Sequence, residues 1–329
     1  MRKRVAVLYG GRSGEHEISI RSAQAVMAAL DPEKYVAVPI FIGKDGRWDP
    51  KPILPEPGAN PGIDVVFPVL HGTFGEDGTV QGLLELAALP YVGAGVFSSS
   101  ASMDKEQFKR ICLSIGLPVV EWITLYRGAP GAALDASEAV RRFGFPLFVK
   151  PANLGSSVGI SKAHDEAELK AALEEAAKYD SKIVVERAIA GHEIECAVLG
   201  NDAPEAATPC EILPSREFYD YDDKYLLDAA RVELPAKLPA ETIAEIRRIA
   251  VACFRAVDCS GMGRVDFLVE GATGKVYINE INTIPGFTSI SMFPKMWEHA
   301  GLSFAQLVER LIELALERHA VRQSLRYER

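Results

Sequence analysis

The sequence predicts an α/β protein: an N-terminal parallel sheet with helices on both faces, followed by two α+β regions. Three observations point there. Short, continuous apolar runs alternate with helical patterns over the first third of the chain, the pattern of strand–helix units feeding a parallel sheet. A run of glycine and small hydroxyl residues, "GAGVFSSSAS" (93–102), then breaks that rhythm and marks a boundary. Beyond it, strands and helices follow in uneven order around a glycine-rich loop and a long polar, aromatic stretch.

Taken in order, "RVAVLYGG" (4–11) is a buried strand ending in glycines. Residues 15–30 continue as a helix carrying Ile18, Val26, Met27 and Leu30, until Asp31-Pro32 stops it. "YVAVPIFI" (35–42) and "IDVVFPVL" (63–70) are further buried strands. Thr79 is placed to cap a helix whose Val80, Leu83, Leu84, Ala87 and Ala88 fall at i, i+3, i+4, i+7 and i+8. Ligands of such a sheet belong at the carboxyl ends of its strands. The middle region reads as helix 104–115, strand 121–126, a short helix, strand 146–150, strand 158–163 and helix 165–178, the last opened by Asp165 and Glu168 in capping-box spacing. The closing region carries strands 193–199, 262–270 and 275–280 and helices 241–257 and 303–318, with Ser303 and Gln306 repeating that spacing. "SREFYDYDDKYLLDAA" (215–230) is too irregular for a helix and too long for a turn, as functional loops are. The chain thus divides into 1–96, 97–189 and 190–329, with residues at about 215–230 as a lid in the third part.

Composition narrows the function. A formal net charge of −9 argues against a general nucleic-acid binder but not against a nucleotide held by a few local lysines. Cys112, Cys196, Cys210, Cys253 and Cys259 are scattered without metal-ligand spacing and read as small buried thiols in a reducing compartment. The apolar run at 5–9 is too short for a signal-peptide core, and no stretch approaches the ~20 apolar residues of a spanning helix. The expectation is a cytoplasmic protein without a membrane partner.

Two stretches carry chemistry. "VKPANLGSSVGISKA" (149–163) puts Lys150 just before Gly155, Ser156, Ser157 and Gly159. Glycines let backbone N–H groups approach an anion, hydroxyls add donors and a lysine adds charge, so the stretch reads as a phosphate-covering loop. A glycine-rich surface hairpin is the plain alternative. "GRVDFLVEGATGKVYINEIN" (263–282) is two strands and a turn. Strand alternation puts Arg264 and Asp266 on one face, and Glu280 and Asn282 on one face. If the strands pair, two carboxylates, an amide oxygen and a guanidinium gather on one surface. Such oxygen donors suit magnesium shared with phosphates, and a surface ion-pair ladder is the alternative. Neither a P-loop nor a G-x-G-x-x-G fingerprint is present, so ATP, if bound, is held by another architecture.

With these residues in view, the chain resembles the ATP-grasp superfamily, and within it the D-alanine–D-alanine ligase family. "GGRSGEHEIS" (10–19), "HGTFGEDGTVQGLLE" (71–85), "SASMDK" (100–105), "KPANLGSSVG" (150–159), "ERAIAGHE" (186–193), "EFYDYDDKY" (217–225), "GRVDF" (263–267) and "NEINTIPGFTSISMFPK" (279–295) resemble that family's signatures in order, over nearly the whole chain. Asp223, where alanine is frequent, departs from the pattern beside the presumed catalytic positions.

The resemblance implies an ATP-grasp fold, in which the two α+β domains grip ATP, and ATP-dependent formation of D-alanyl-D-alanine for peptidoglycan through a D-alanyl phosphate. It implies that Lys105, Lys150, Ser156, Ser157, Glu186, Ala188, Ile189 and Glu193 bind ATP. Asp266, Glu280 and Asn282 would hold magnesium or manganese, two ions per site. Glu15 would take the first substrate's ammonium, His71 would lie near its carboxylate, and Lys224 with Ser291 would hold the second substrate's carboxylate. Arg264 and the backbone N–H of Gly286 would face the tetrahedral oxyanion. Tyr225 would close a network with Glu15 and Ser156. The resemblance also implies a homodimer. Plainer readings stand beside several of these: solvated lysines, a turn at Gly286, a helix-dipole role for Glu15 and a packed His71. A relative joining D-lactate or D-serine, or a non-catalytic ATP-binding scaffold, is the competing function.

Overall fold

The computed structural model describes residues 2–128, 134–155, 158–213, 231–288 and 290–326, and within these the chain forms three sheets. In the first, β1 (Lys3–Gly10) lies between β2 (Tyr35–Ile42) and β4 (Val65–Pro68), parallel to both. A two-residue β3 (Trp48–Asp49) adds an antiparallel edge at β2. Side-chain alternation on β1 explains the layers. Val5 and Val7 pack on Ala23 and Val26 of α1 (His16–Ala29), while Ala6 and Leu8 pack on Val80 and Leu84 of α2 (Thr79–Leu86). Helices cover both faces, as alternation in the sequence predicts.

The cap of α2 differs from expectation. Gly78, at φ +91°, is the N-cap, and the Asp77 carboxylate accepts the N–H of Thr79 at 3.0 Å and of Phe74 at 2.7 Å. An acidic side chain one residue before a left-handed glycine reaches these amides, so the threonine hydroxyl is not needed. The serine-rich stretch is another difference: it folds as α3 (Val96–Met103), followed by α4 (Lys105–Ser114). Asp104 caps α4 by accepting the N–H groups of Glu106 and Gln107.

The second sheet contains β5 (Trp122–Tyr126), β6 (Leu147–Pro151), β7 (Ser161–Ala163) and β8 (Lys182–Arg187), antiparallel in the order β5-β8-β6-β7. Its core is Leu147, Val149, Ile183 and Val185 against α5 (Ser137–Phe143) and α6 (Glu166–Ala176). Asp165 accepts the Glu168 N–H as expected, but the Glu168 carboxylate accepts from the backbone N–H of His164, so only half a capping box forms.

The third sheet runs β12-β11-β9-β13-β14, with β10 on β9, all antiparallel. Its strands are β9 (Gly191–Gly200), β10 (Glu205–Ala206), β11 (Cys210–Leu213), β12 (Arg231–Glu233), β13 (Gly261–Glu270) and β14 (Val276–Asn282). One face (Ile194, Cys196, Val265, Phe267) packs on α7 (Ala240–Ala256), where Phe108 and Cys112 of α4 join it. The other face is divided. Ala197, Leu199 and Met262 join the N-terminal core together with α8 (Met292–His299) and α9 (Phe304–Gln323), while Arg264, Asp266, Glu193 and Glu195 occupy the polar remainder. All five cysteines are buried and free, as small core thiols. Among the described residues no helix is long and apolar enough to cross a membrane.

Candidate active site

The hairpin of β13 and β14 forms with the register the alternation needs: Arg264 opposite Asn282 and Asp266 opposite Glu280. The next pair is Phe267 with Ile278, so Asn279 is an extra residue in β14. Arg264 forks over Asp266, Nε to Oδ1 and Nη2 to Oδ2 both at 2.7 Å, and the Asn282 amide donates to Asp266 Oδ2 at 2.9 Å. On β9, Glu195 lies opposite Asp266, with Oε2 3.3 Å from Arg264 Nε. Burial works against the guanidinium's charge, but Asp266 and Glu195 outweigh it and keep Arg264 charged. Features of both readings of this hairpin are therefore present: an ion-pair ladder, and two carboxylates with an amide on one surface. Among the described residues no three His, Cys, Asp or Glu side chains converge as a metal cage. Asp266, Glu280 and Asn282 still fit magnesium, which takes few protein oxygens and fills its shell from phosphates and water.

Opposite the hairpin lies a lysine cluster. Glu186, at the end of β8 and 2% exposed, pairs with two lysines, Oε2 with Lys150 Nζ at 2.7 Å and Oε1 with Lys109 Nζ at 3.0 Å, the latter an ion pair without hydrogen-bond geometry. Burial alone would raise this carboxyl, but the charges of Lys109 and Lys150 hold it at about 2. The bulged Asn279 reaches Lys150 Nζ with Oδ1 at 3.1 Å, linking the two sheets. Lys105 begins α4. Its backbone N–H donates to Ala152 and its Nζ to the Leu154 carbonyl at 2.5 Å, at the stem of the glycine loop, and Nζ lies 4.0 Å from Glu280.

The third wall comes from the carboxyl ends of β1 and β4. Ser19, buried in the first turns of α1, accepts the Gly10 N–H and donates to the Val69 carbonyl, which fixes the helix start on both strand ends. Glu15 stands at the N-cap, yet its side chain makes no capping bond. Its carboxylate instead borders Gly72 and Gly155: a Cβ at Gly72 would stand 2.8 Å from Oε2, and one at Gly155 3.5 Å. Gly72 also has φ +74°, so two requirements coincide on glycine there. Glu76 accepts the N–H groups of Gly72 at 2.7 Å and Ile284 at 3.1 Å, and burial together with the Glu15 charge pushes its carboxyl up to about 8. His71 is buried. Its Nδ1–H donates to the Ile284 carbonyl at 2.9 Å, and the Ser22 hydroxyl donates to Nε2 at 3.0 Å. Burial lowers its pKa, which fits the neutral ring this pattern requires. The Phe287 N–H donates to Ser22 Oγ at 3.4 Å. A Cβ at Gly286 would meet Ser291 Oγ at 3.1 Å, so those two positions adjoin.

The structure thus brings Glu15, His71, Gly286 and Ser291 to one wall, Lys105, Lys150 and Glu186 to another, and Arg264, Asp266, Glu280 and Asn282 to the hairpin. Ala188 and Ile189 form the link between β8 and β9 beside Glu186, and Glu193 lies on β9 on the face of Glu195. Ser156, Ser157, Lys224 and Tyr225 lie outside the described residues. Sequence reasoning missed four groups: Glu76, Lys109, Asn279 and Glu195. Lys109 sits one helical turn after Lys105, and Glu195 alternates with Glu193, so both had a signal. Asn279 had none, because regular alternation turns it away from the site. A surface groove of about 630 Å³ lined by Glu106, Arg110, Trp122 and Tyr126 shares none of these side chains.

Residues 111–313 match the family model described as D-ala D-ala ligase C-terminus, and residues 4–57 and 54–94 match D-ala D-ala ligase N-terminus. The D-alanine–D-alanine ligase of Solibacter usitatus (strain Ellin6076) is 64% identical over 329 residues, 100% of both chains. Among solved structures, the D-alanine–D-alanine ligase from Coxiella burnetii matches with a TM-score of 0.86 and 41% identity, covering 98% of this chain and 96% of that one. The VanG D-Ala:D-Ser ligase from Enterococcus faecalis matches with a TM-score of 0.86 and 37% identity, over 96% of this chain and 100% of that one.

Proposed function

The chain belongs to the D-alanine–D-alanine ligase family, and from that premise we propose how its residues divide the work of joining two D-alanines at the expense of ATP. The enzyme is an ATP-dependent ligase making D-alanyl-D-alanine for peptidoglycan synthesis. Its fold is the family's ATP-grasp fold, read as domains 1–96, 97–189 and 190–329. The observation that best supports the assignment of roles is the β13–β14 register, which sets Arg264, Asp266, Glu280 and Asn282 on one surface facing Lys105 and Lys150.

In this reading Lys105 and Lys150 neutralise phosphate charge, Ser156 and Ser157 with their backbone amides close over the β- and γ-phosphates, the link at Ala188 and Ile189 meets adenine, and Glu193 binds the ribose. Glu186 acts by holding Lys150. Asp266, Glu280 and Asn282 would hold magnesium or manganese, two ions, which would supply the charge neutralisation that phosphoryl transfer needs. The first D-alanine lies with its ammonium on Glu15, and its carboxylate attacks the γ-phosphate, giving D-alanyl phosphate and ADP. The second, its carboxylate on Lys224 and Ser291, attacks the acyl carbon through its amine, and phosphate leaves. Arg264 and the Gly286 N–H stabilise the oxyanion formed in that attack. His71, with both ring nitrogens engaged, sets the position of the 284–287 loop beside the first carboxylate. Tyr225, with Glu15 and Ser156, closes the lid and keeps water from the acyl phosphate.

Fold likeness does not separate acceptors, since a D-Ala:D-Ser ligase matches as well as a D-alanine–D-alanine ligase. The deciding test is ADP release from ATP and magnesium with D-alanine, beside L-alanine, D-serine, D-lactate and no amino acid. Release with D-alanine alone, yielding D-alanyl-D-alanine, supports the reading; a faster mixed product with D-serine or D-lactate would overturn it. A cytoplasmic homodimer completes the proposal. Leu86, Val96 and Phe97, exposed on α2 and α3, are consistent with a pairing face, and sedimentation at monomer mass would refute it.

A further inference from the structure

We infer that Lys109, which is wholly buried, is a positioning residue that supplies the net positive charge with which Lys150 binds nucleotide phosphate. The inference rests on the reading of Lys150 as a phosphate-binding group. Its basis is the Lys109–Glu186–Lys150 triad, in which each carboxylate oxygen faces one ammonium, at 3.0 and 2.7 Å. Lys109 is 0% exposed and Glu186 2%, so solvent screens neither. The Lys109 ammonium lies 5.8 Å over the Trp122 ring and 3.4 Å from the Val120 carbonyl, which hold it in place without adding a full charge.

Glu186 with Lys150 alone would be a neutral pair, and a lysine neutralised by its own anchor has little attraction left for phosphate. A bare Lys150 without an anchor would carry its charge but lose its aim. Glu186 supplies the aim, assisted by Asn279, and Lys109 cancels the charge that Glu186 introduces. Burial lowers the Lys109 pKa and the facing Glu186 carboxylate opposes that shift; with the ammonium protonated, the triad is a rigid unit with one net positive charge, presented at its Lys150 end. Removing one member of a buried charge set leaves the others uncompensated, whereas removing two opposite charges keeps the balance.

The experiment is a double-mutant cycle on the full chain, read as the Kd for ATP with magnesium and no amino acid, by titration calorimetry. Lys109→Met is expected to weaken ATP binding by about tenfold or more, while the KM of the first D-alanine at saturating ATP stays within about threefold. Adding Glu186→Gln to Lys109→Met restores one net charge while the glutamine amide oxygen, with Asn279, still accepts from Lys150 and keeps its aim, so the Kd is expected to return to within about threefold of the parent. A packing role for Lys109 would not be rescued in this way. A Kd for Lys109→Met within about threefold of the parent, or a double variant as weak as the single, overturns the inference. Should Lys109→Met fail to fold, the double variant against Glu186→Gln decides by the same criterion. Lys150→Met separates the premise: if it leaves ATP affinity unchanged, Lys150 is not the phosphate group and both readings fall. If Lys150→Met weakens binding and Lys109→Met does not, only the inference falls.

Discussion

Two carboxyls, Glu186 buried and Glu76 part-buried, show how strongly neighbours decide chemistry at the residue scale. Glu186 between two lysines stays ionised far into acid, and Glu76 beside Glu15 holds its proton to about 8. The signs of their linkage are opposite. Glu186 contributes stability that is present above 4.5 and lost as pH falls towards about 2. Glu76 contributes stability that is present below 4.5 and lost as pH rises through about 8. We therefore expect the difference in urea midpoint between the parent and Glu76→Gln to shrink steadily from about pH 5 to about pH 8; a flat difference would show that Glu76 is an ordinary carboxylate. Glu280→Ala removes one of two acids from the hairpin surface. It is expected to abolish turnover while leaving the thermal transition and far-ultraviolet circular dichroism unchanged, and turnover surviving at saturating magnesium would break the metal assignment.

At the scale of elements, caps and bulges carry what periodicity leaves open. The capping box on α9 forms in full: Ser303 Oγ accepts the Gln306 N–H and Gln306 Oε1 accepts the Ser303 N–H. Ser303→Ala should lower unfolding free energy by about 1 kcal/mol in urea titration, with activity unaltered. The bulge at Asn279 turns two successive side chains of β14, Asn279 and Glu280, towards the lysines, which a regular strand cannot do. Strand β8 escaped sequence reading because the apolar run of "KIVVER" is only Ile183–Val185 between charged residues, shorter than the runs that mark a buried strand.

At the scale of the molecule, the site is a meeting of three sheets, and its most telling contacts cross between them. Ser22 on α1 bridges His71, which follows β4, and Phe287, which follows β14, with His71 completing the circuit to Ile284. Ser22→Ala leaves a buried imidazole nitrogen and an N–H without that partner. The expected result is a loss of about 1–3 kcal/mol in unfolding free energy and a raised KM for D-alanine. An unchanged KM would confine Ser22 to packing. The lid prediction belongs at this scale as well. Tyr225→Phe should raise use of D-lactate relative to D-alanine, and an unchanged product ratio would remove the gatekeeping role.

What the amino-acid sequence determined by itself is what depends on neighbours along the chain. Apolar runs and helical stripes located most elements, and Ser303 with Gln306 located a helix start. Two-residue alternation put Arg264 with Asp266 and Glu280 with Asn282 before any pairing was known. Only the tertiary structure decided what depends on distance through space: Glu186 between lysines from separate elements, Glu15 against Gly72 and Gly155, the proton on Glu76, and the turn of Asn279 towards Lys150. Those outcomes follow from burial and from charges within a few ångströms, terms that grow as water is excluded. A one-dimensional pattern carries no record of which side chains share that excluded space.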